Sequence, residues 1–331
     1  MNQPRVSIII VTYNAERYIR DLLKSVAEQK FSDFAVMIID NQSSDQTASF
    51  ISENYPHYAL VKRPRNEGFS QAYNLGISWT KGEYVLCLNQ DIVLEKDFLG
   101  ELVNFMDQKA EAAAVSGVLL KIKVDGKNNI VDSLGLEMKK SGRVIDRHEG
   151  EEYEGGQTEE VFGVSGAAPL YRRSFLEKVK HQSSGGEYFD RDFYMYKEDI
   201  DLAWRLRHAG GRAYIVSTAR AYHWRSTAKS GGTMFNQWRA HAKRSQFINY
   251  LSYRNHILTL VKNAYWSNLF RYLVPLLWYE LPKLVVHLLW HRRPNNLPRV
   301  GTLLSGARRK RQEILTTSEL SPLEARQWRK D

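Results

Sequence analysis

Two short acidic stretches have residue types and spacing suited to chemistry. In YVLCLNQDIVL, Tyr84 to Leu94, four apolar residues run into Asn89-Gln90-Asp91 and then return to Ile92-Val93-Leu94. A carboxylate delivered by a buried strand is a candidate ligand for Mg2+ or Mn2+. Such cations take oxygen ligands and need only one or two carboxylates when substrate phosphates complete the shell. A simple turn is the competing reading, because Asn and Asp accept local backbone hydrogen bonds. The second stretch, YKEDIDLAWRLRHAGG, places Glu198, Asp199 and Asp201 in the first turn of an expected helix that stops at Gly210-Gly211. Carboxylates there complement the helix macrodipole. Three within four residues also repel one another, which raises the proton affinity of one and suits a general base. Asp40 ends another apolar run, where it could accept hydrogen bonds from a base or ribose. His223, after RAYIVSTARAY, either reaches the same rim or is structural.

These groups need a scaffold that brings them together. RVSIIIVTYN, FAVMIID, YALVKR and YVLCLNQD read as strands. They alternate with the helical patterns AERYIRDLLKSVAEQ, SSDQTASFISENY and SQAYNLGISWT. The alternation predicts an α/β fold with a mostly parallel central sheet and helices on both faces. Ligands of such sheets bind beyond the carboxyl ends of the strands. Three of the four strands leave polar residues there: Thr12-Tyr13-Asn14, Asp40-Asn41 and Asn89-Gln90-Asp91. No G-x-G-x-x-G follows the first strand and no G-x-x-x-x-G-K-[ST] occurs, which disfavours dinucleotide and P-loop cradles. From about Lys109 the pattern changes. AAAVSGVLLKI predicts another strand, NNIVDSLGLEMKKSGRVI a hairpin turning at Lys140-Ser141-Gly142, and EGEEYEGGQTEE an acidic loop. VFGVSGAAPLYRRSFLEKV predicts a strand or crossing and then a short helix from Arg172, and HQSSGGEYFDRDF a mobile loop.

At 331 residues, 43% hydrophobic and 25% charged, the chain can bury a large core and does not have the composition of a disordered protein. Cys87 is the only cysteine, which excludes an internal disulfide or a cysteine-based metal site and is compatible with a reducing cytoplasm. Met1 to Arg5 has no charged-then-apolar leader, so no secretory signal is expected. The net charge of +10 is uneven: residues 232–331 hold 17 Lys plus Arg against 5 Asp plus Glu. This shift marks the expected boundary in the chain. In the basic region, LFRYLVPLLWYELPKLVVHLLWHRR approaches membrane-spanning length. It contains Arg271, Glu280, Lys283 and His287 and is interrupted by Pro275 and Pro282. An interfacial helix suits it better than a spanning one, and ARRKRQE adds a cluster that attracts anionic lipid. Ordinary helices packed on the preceding domain are the bland alternative. Nucleic acid is not an expected partner, since no reader motif accompanies the charge.

In order from about Val6 to His223, SIIIVTYN, DNQSSDQT, NEGFSQAYNLGI, LNQD, GAAPLYRRSF and FYMYKEDIDLAWRLRHAGG resemble the successive signatures of family 2 glycosyltransferases with the GT-A fold. The pattern is most similar to the rhamnosyltransferase-like branch. The resemblance implies a GT-A catalytic domain over 1–231, with a nucleotide-sugar-binding half (1–108) and an acceptor-binding half (109–231). A basic, mostly helical region follows over 232–331. It implies that Thr12, Tyr13 and Asn14 line the nucleotide pocket, that Asp40 contacts the base or ribose, and that Asn66, Gly68 and Asn74 shape the donor pocket. Asn89-Gln90-Asp91 occupies the place of the family's D-x-D motif, with Asn89 instead of its first Asp. Asp91 would touch a divalent metal, Mg2+ or Mn2+, with His223 as a further ligand. Asp199 matches the catalytic base, with Glu198, Asp201 and Arg205 on the acceptor side or supporting it. The implied reaction is inverting transfer of a sugar from a nucleotide-diphosphate donor, with dTDP-L-rhamnose the leading expectation. The acceptor would be a hydroxyl of a glycan or polyprenyl-linked glycan in cell-surface polysaccharide synthesis. The expected location is cytoplasmic, peripheral on the inner face of the cell membrane. The alternative from another class is an inactive, membrane-associated sugar-nucleotide binding or scaffold protein that lost activity with its altered D-x-D.

Overall fold

The structure, a computed structural model, describes residues 3–123, 126–224, 246–290 and 300–330. Its first half is the expected alternation of β1 (Val6–Thr12), α1 (Ile19–Ala27), β2 (Phe34–Asp40), α2 (Thr47–Asn54), β3 (Ala59–Lys62), α3 (Phe69–Trp79) and β4 (Tyr84–Asn89). β1 pairs in parallel with β2 and with β4, and β2 with β3. Along β1, Val6, Ile8 and Ile10 join Ile19, Leu22, Leu23 and Val26 of α1 on one face of the sheet. Ile9 and Val11 join Ala72, Tyr73 and Ile77 of α3 on the other. Two covered faces are why the strand is an unbroken apolar run. The register sets Thr12 beside Asp40 and Val11 beside Asn89, which gathers the polar strand ends into one row.

The second half contains β5 (Ile92–Leu94), α4 (Phe98–Gln108), β6 (Ala112–Lys123), β7 (Gly126–Ser133), β8 (Leu136–Lys139), β9 (Val144–Asp146) and β10 (Glu159–Val161). β11 (Leu170–Arg172), α5 (Arg173–Val179), α6 (Glu198–His208) and β12 (Arg212–His223) follow. The main sheet has the order β10-β12-β6-β11-β4-β1-β2-β3. β11 runs antiparallel to both β4 and β6, so β6 and β12 regain the direction of the first half. The expected hairpin around Lys140-Ser141-Gly142 is β8–β9. The residues before it belong elsewhere: β7 pairs with β6. Gly135 makes that division, with a φ of 87° that a side chain would resist.

The basic region supplies α7 (Gln246–Asn263), α8 (Trp266–Arg271), α9 (Leu273–Trp290), α10 (Val300–Thr316) and β13 (Arg329–Lys330). α7 and α10 pack on each other and both pack on α6, while β13 pairs with β8. The stretch expected as a mobile loop is fixed in its second half, where Glu187 to Asp190 are buried. Lys262 of α7 and Lys310 of α10 each reach an oxygen of Asp190 at 2.5 Å, a long-range anchor that glycine and serine content does not reveal. Among the described residues no helix is long and apolar enough to cross a membrane.

Candidate active site

At the carboxyl ends of β1 and β2, Asp40 is buried and firmly held. Its Oδ1 accepts from Thr12 Oγ1 at 3.0 Å and Ser43 Oγ at 2.5 Å, and its Oδ2 from the Ser43 amide at 3.1 Å. Asn14, at a φ of 49°, donates its amide to Ser43 Oγ and accepts from the Ser44 amide through its side chain. Gln90 clasps the backbone of Tyr13, accepting from its N–H at 2.8 Å and donating to its carbonyl at 3.2 Å. The middle residue of Asn89-Gln90-Asp91 therefore ties the β1 loop to the end of β4, and the Tyr13 side chain remains exposed. Asn66 Oδ1 gathers three donors, from Asn41, Gly68 and the Tyr194 hydroxyl. Gly68, at φ +86°, has Tyr194 so close that an added Cβ would lie 2.5 to 2.8 Å from it. Asn74 grips the backbone of Tyr188 and Phe189 through three hydrogen bonds of 2.7 to 3.0 Å, which makes it a support of that segment.

Pairing of β12 with β5 carries His223 to Asp91. His223 Nε2 lies 3.3 Å from Asp91 Oδ1, and Nδ1 lies 2.8 Å from Asp132 Oδ2. Burial opposes a charge on this imidazole, but the hydrogen bonds to Asp132 and Asp91 outweigh it and push its pKa up to about 9. A carboxylate behind an imidazole is the arrangement that orients metal-binding histidines. Asn89 Oδ1 is buried with no hydrogen-bond partner among the described residues. An amide oxygen, a carboxylate and an imidazole nitrogen are the donor types that Mg2+ or Mn2+ accept. A second cluster, His181, Asp190 and Asp201, is also compact enough to hold a cation. There the positive charge comes from the chain itself, since Lys262 lies 2.5 Å from Asp190 and 2.8 Å from Asp201.

Glu198 and Asp199 open α6. Asp199 Oδ2 accepts from the Gly166 amide at 3.0 Å and Oδ1 from the Ile200 amide at 2.8 Å. The carbonyl of Ala167, the next residue, accepts from the Asn89 amide at 2.9 Å. Gly166-Ala167 thus bridges Asp199 to the end of β4, whose neighbour β1 carries Thr12 and so Asp40. This chain of contacts joins Asp199 to Asn89 and, through β1, to Asp40, and Asp91 follows Asn89 by two residues. Burial raises the proton affinity of Asp199; the Gly166 amide opposes the shift and the charge of Asp146 adds to it. Glu198 is buried, its Oε2 has no hydrogen-bond partner among the described residues, and burial together with the Asp199 charge pushes its pKa up to about 8. A carboxyl pair of this kind is equipped to hold and exchange a proton near neutral pH.

The segment leading into α6 is strained, with Tyr194, Tyr196 and Lys197 at φ 64°, 70° and 67°. Non-glycine residues held there cost about 1–3 kcal/mol each and persist where surrounding contacts over-determine them. Asp201 and Arg205 occupy the buried side of α6. Their 3.0 Å ion pair and the Arg205 bonds to the Val179 and Tyr188 carbonyls tie the helix to the preceding segment. Asp132, Gly166 and Tyr194 were not singled out from sequence. Asp132 had one available signal, a carboxylate enclosed by the strand pattern Ile130-Val131 and Leu134.

Residues 7–180 match the family model described as Glycosyl transferase family 2. The poly-beta-1,6-N-acetyl-D-glucosamine synthase of Staphylococcus epidermidis is 26% identical over 204 residues, 61% of this chain and 45% of that protein. The chain thus spans less than half the length of this curated relative. The crystal structure of S. aureus TarS 1-349 in complex with UDP-GlcNAc has a TM-score of 0.53 at 18% identity, covering 98% of this chain and 92% of that one. GalNAc-T7 with UDP, GalNAc and Mn2+ has a TM-score of 0.61 at 13% identity, covering 93% of this chain and 54% of that one. These likenesses are of fold, and the fold is GT-A. With its sheet, its strand-end carboxylates and more than half its length under one family model, the chain belongs to glycosyl transferase family 2.

Proposed function

We propose that the chain is an inverting glycosyltransferase that moves a sugar from a nucleotide-diphosphate donor to a hydroxyl of a glycan or polyprenyl-linked glycan. The observation that carries this reading is the chain of hydrogen bonds joining Asp40, the end of β4 and Asp199 along one rim. Asp40, fixed by Thr12 and Ser43, presents an acceptor to the base or ribose, and the exposed Tyr13 ring offers a stacking surface beside it. Asn89, Asp91 and His223 would hold Mg2+ or Mn2+. When bound, such an ion supplies neutralisation of the departing diphosphate. Asp199 takes the proton from the acceptor hydroxyl as that oxygen attacks the anomeric carbon opposite the diphosphate, which inverts configuration. Glu198, kept neutral beside it, leaves the charge on Asp199. Donor and acceptor are aligned by the two halves of the rim, which is where much of the rate would originate.

The sequence resemblance favours dTDP-L-rhamnose as donor, and the UDP-GlcNAc bound by TarS names the competitor to test against it. Attachment to the cytoplasmic face of a membrane is part of the reading. Val274, Trp278, Leu281 and Val285 recur on the exposed side of α9 at helical spacing. Glu280, the only carboxylate of that helix, is turned inward to His256 at 2.9 Å. An apolar stripe with no exposed acid supports docking to an anionic lipid surface. The inactive-scaffold alternative predicts nucleotide binding without release of nucleotide diphosphate. Asp199→Asn tests the proposal: transfer falls by about 10²–10⁴-fold while nucleotide affinity is kept. Undiminished turnover removes Asp199 from the mechanism.

A further inference from the structure

The five residues Phe193 to Lys197 join the donor side of the rim to the carboxylate pair, and their carbonyl oxygens face two ways. The carbonyl of Tyr194 accepts from the amides of Phe69 and Ser70 at 2.7 and 3.3 Å, at the start of α3. Those of Phe193, Met195 and Tyr196 all turn to Asn255 of α7, whose Nδ2 lies 2.9, 2.9 and 2.8 Å from them. Asn255 is fully buried. Its orientation is fixed by chemistry: Arg254 Nε, which only donates, meets Oδ1 at 2.9 Å, and the three carbonyls, which only accept, require the amide nitrogen on their side. Two N–H bonds serve three carbonyls, so at least one is shared. Arg254 adds bonds from Nη2 to the carbonyls of Asp192 and Phe193 at 2.6 and 3.1 Å.

We infer that Asn255 is a positioning residue, which sets the height of Glu198 and Asp199 against the donor loop by drawing three backbone carbonyls toward one nitrogen. The left-handed φ values at Tyr194, Tyr196 and Lys197 fall within this same segment. The helix that supplies Asn255 comes from the basic region, so this region is part of the catalytic apparatus. The inference rests on the proposed role of Asp199, and its test is arranged to separate the two.

Asn255→Asp keeps size and the Arg254 contact but turns an oxygen toward three oxygens. In the full chain with Mn2+, titration with dTDP and UDP counts nucleotide-binding sites, so that kcat is expressed per site. The expected result is a loss of about 100-fold in kcat per site with nucleotide Kd unchanged within about threefold, the signature of misplacement. Amide hydrogen exchange over residues 193–199 is expected to rise by about tenfold or more, with β1 to β4 unaffected. Unchanged exchange in that segment overturns the inference whatever the activity, and so does unchanged kcat per site. If the wild-type chain neither transfers nor binds nucleotide, the functional reading fails and exchange alone decides the position of Asn255. Should Asn255→Asp not fold, Asn255→Ser, which restores one donor, decides by the same two measurements.

Discussion

Replacing Lys262 by Met tests how the basic helices are joined to the catalytic half. The ammonium of Lys262 lies 2.5 Å from Asp190 and 2.8 Å from Asp201, with the lysine 1% and both carboxylates at most 2% exposed. Around it Glu187, Asp190, Asp192 and Asp201 form ion pairs with Lys262, Lys310, Arg191 and Arg205, and buried Arg254 adds a further positive charge near Asp190 and Asp192. Met has nearly the same volume, so packing changes little. The substitution removes the cation that Asp190 and Asp201 share and leaves the pair less compensated, and breaking a buried pair in this way costs about 3–5 kcal/mol. With unfolding entropy near 2.1 cal/mol/K per residue, a chain of this length has about 0.7 kcal/mol/K, and Tm falls by about 4–7 °C. The pH dependence has a definite sign. Burial would raise Asp190 and Asp201, but Lys262 with Lys310 or Arg205 holds both below the usual carboxylate range. Such groups stabilise the fold above the unfolded carboxylate pKa and lose that contribution as pH falls through the folded value. Without Lys262 the pair protonates at higher pH, which relieves that loss of compensation, so the Tm gap narrows from pH 8 to pH 5. Calorimetry of both proteins at pH 5, 6.5 and 8 reads this directly. A gap under about 1 °C at pH 8, or one that widens toward pH 5, refutes the reasoning.

Two other perturbations address the rim and the outer face. Burial and the neighbouring Asp199 hold Glu198 at about 8, so its contribution to stability is fullest at low pH and is lost as pH rises toward that value. Glu198→Gln carries no charge, and its Tm therefore exceeds that of the wild type by an amount that grows between pH 5 and pH 8; a constant difference contradicts the assignment. Introducing Glu at Val274 and Trp278 abolishes sedimentation with vesicles containing anionic lipid while leaving nucleotide binding intact. Unchanged sedimentation rejects the membrane reading of α9, and dissociation of an oligomer assigns the face to a second copy of the chain.

What was legible in the sequence follows from how local each determinant is. Strands covered on both faces leave unbroken apolar runs, and β1, β2 and β4 are readable for that reason. Their polar ends are readable too, because parallel register sets Thr12 beside Asp40 and its neighbour Val11 beside Asn89. Contacts made across long stretches of chain leave no such period. Asp190 with Lys310 is separated by 120 residues, so the surrounding Gly and Ser content suggested mobility where the structure has an anchor. Asp132 reaches His223 across 91 residues in the same way.

The basic region illustrates the same limit in its charge. Its excess of positive residues predicted attraction to a lipid surface, yet Arg254, Lys262, Lys310, Arg311 and Arg329 are buried. Arg254 and Lys262 meet backbone carbonyls and carboxylates of the catalytic half, and Arg329 donates to the carbonyl of Lys140. A cation whose partners are already internal contributes little to a surface field. Composition alone therefore overstates the surface charge of this region, and in the proposed membrane reading the exposed apolar side chains of α9 carry more of the weight. It follows that vesicle binding should respond more to Val274 and Trp278 than to ionic strength. A strong salt dependence together with indifference to those two side chains would return the weight to charge.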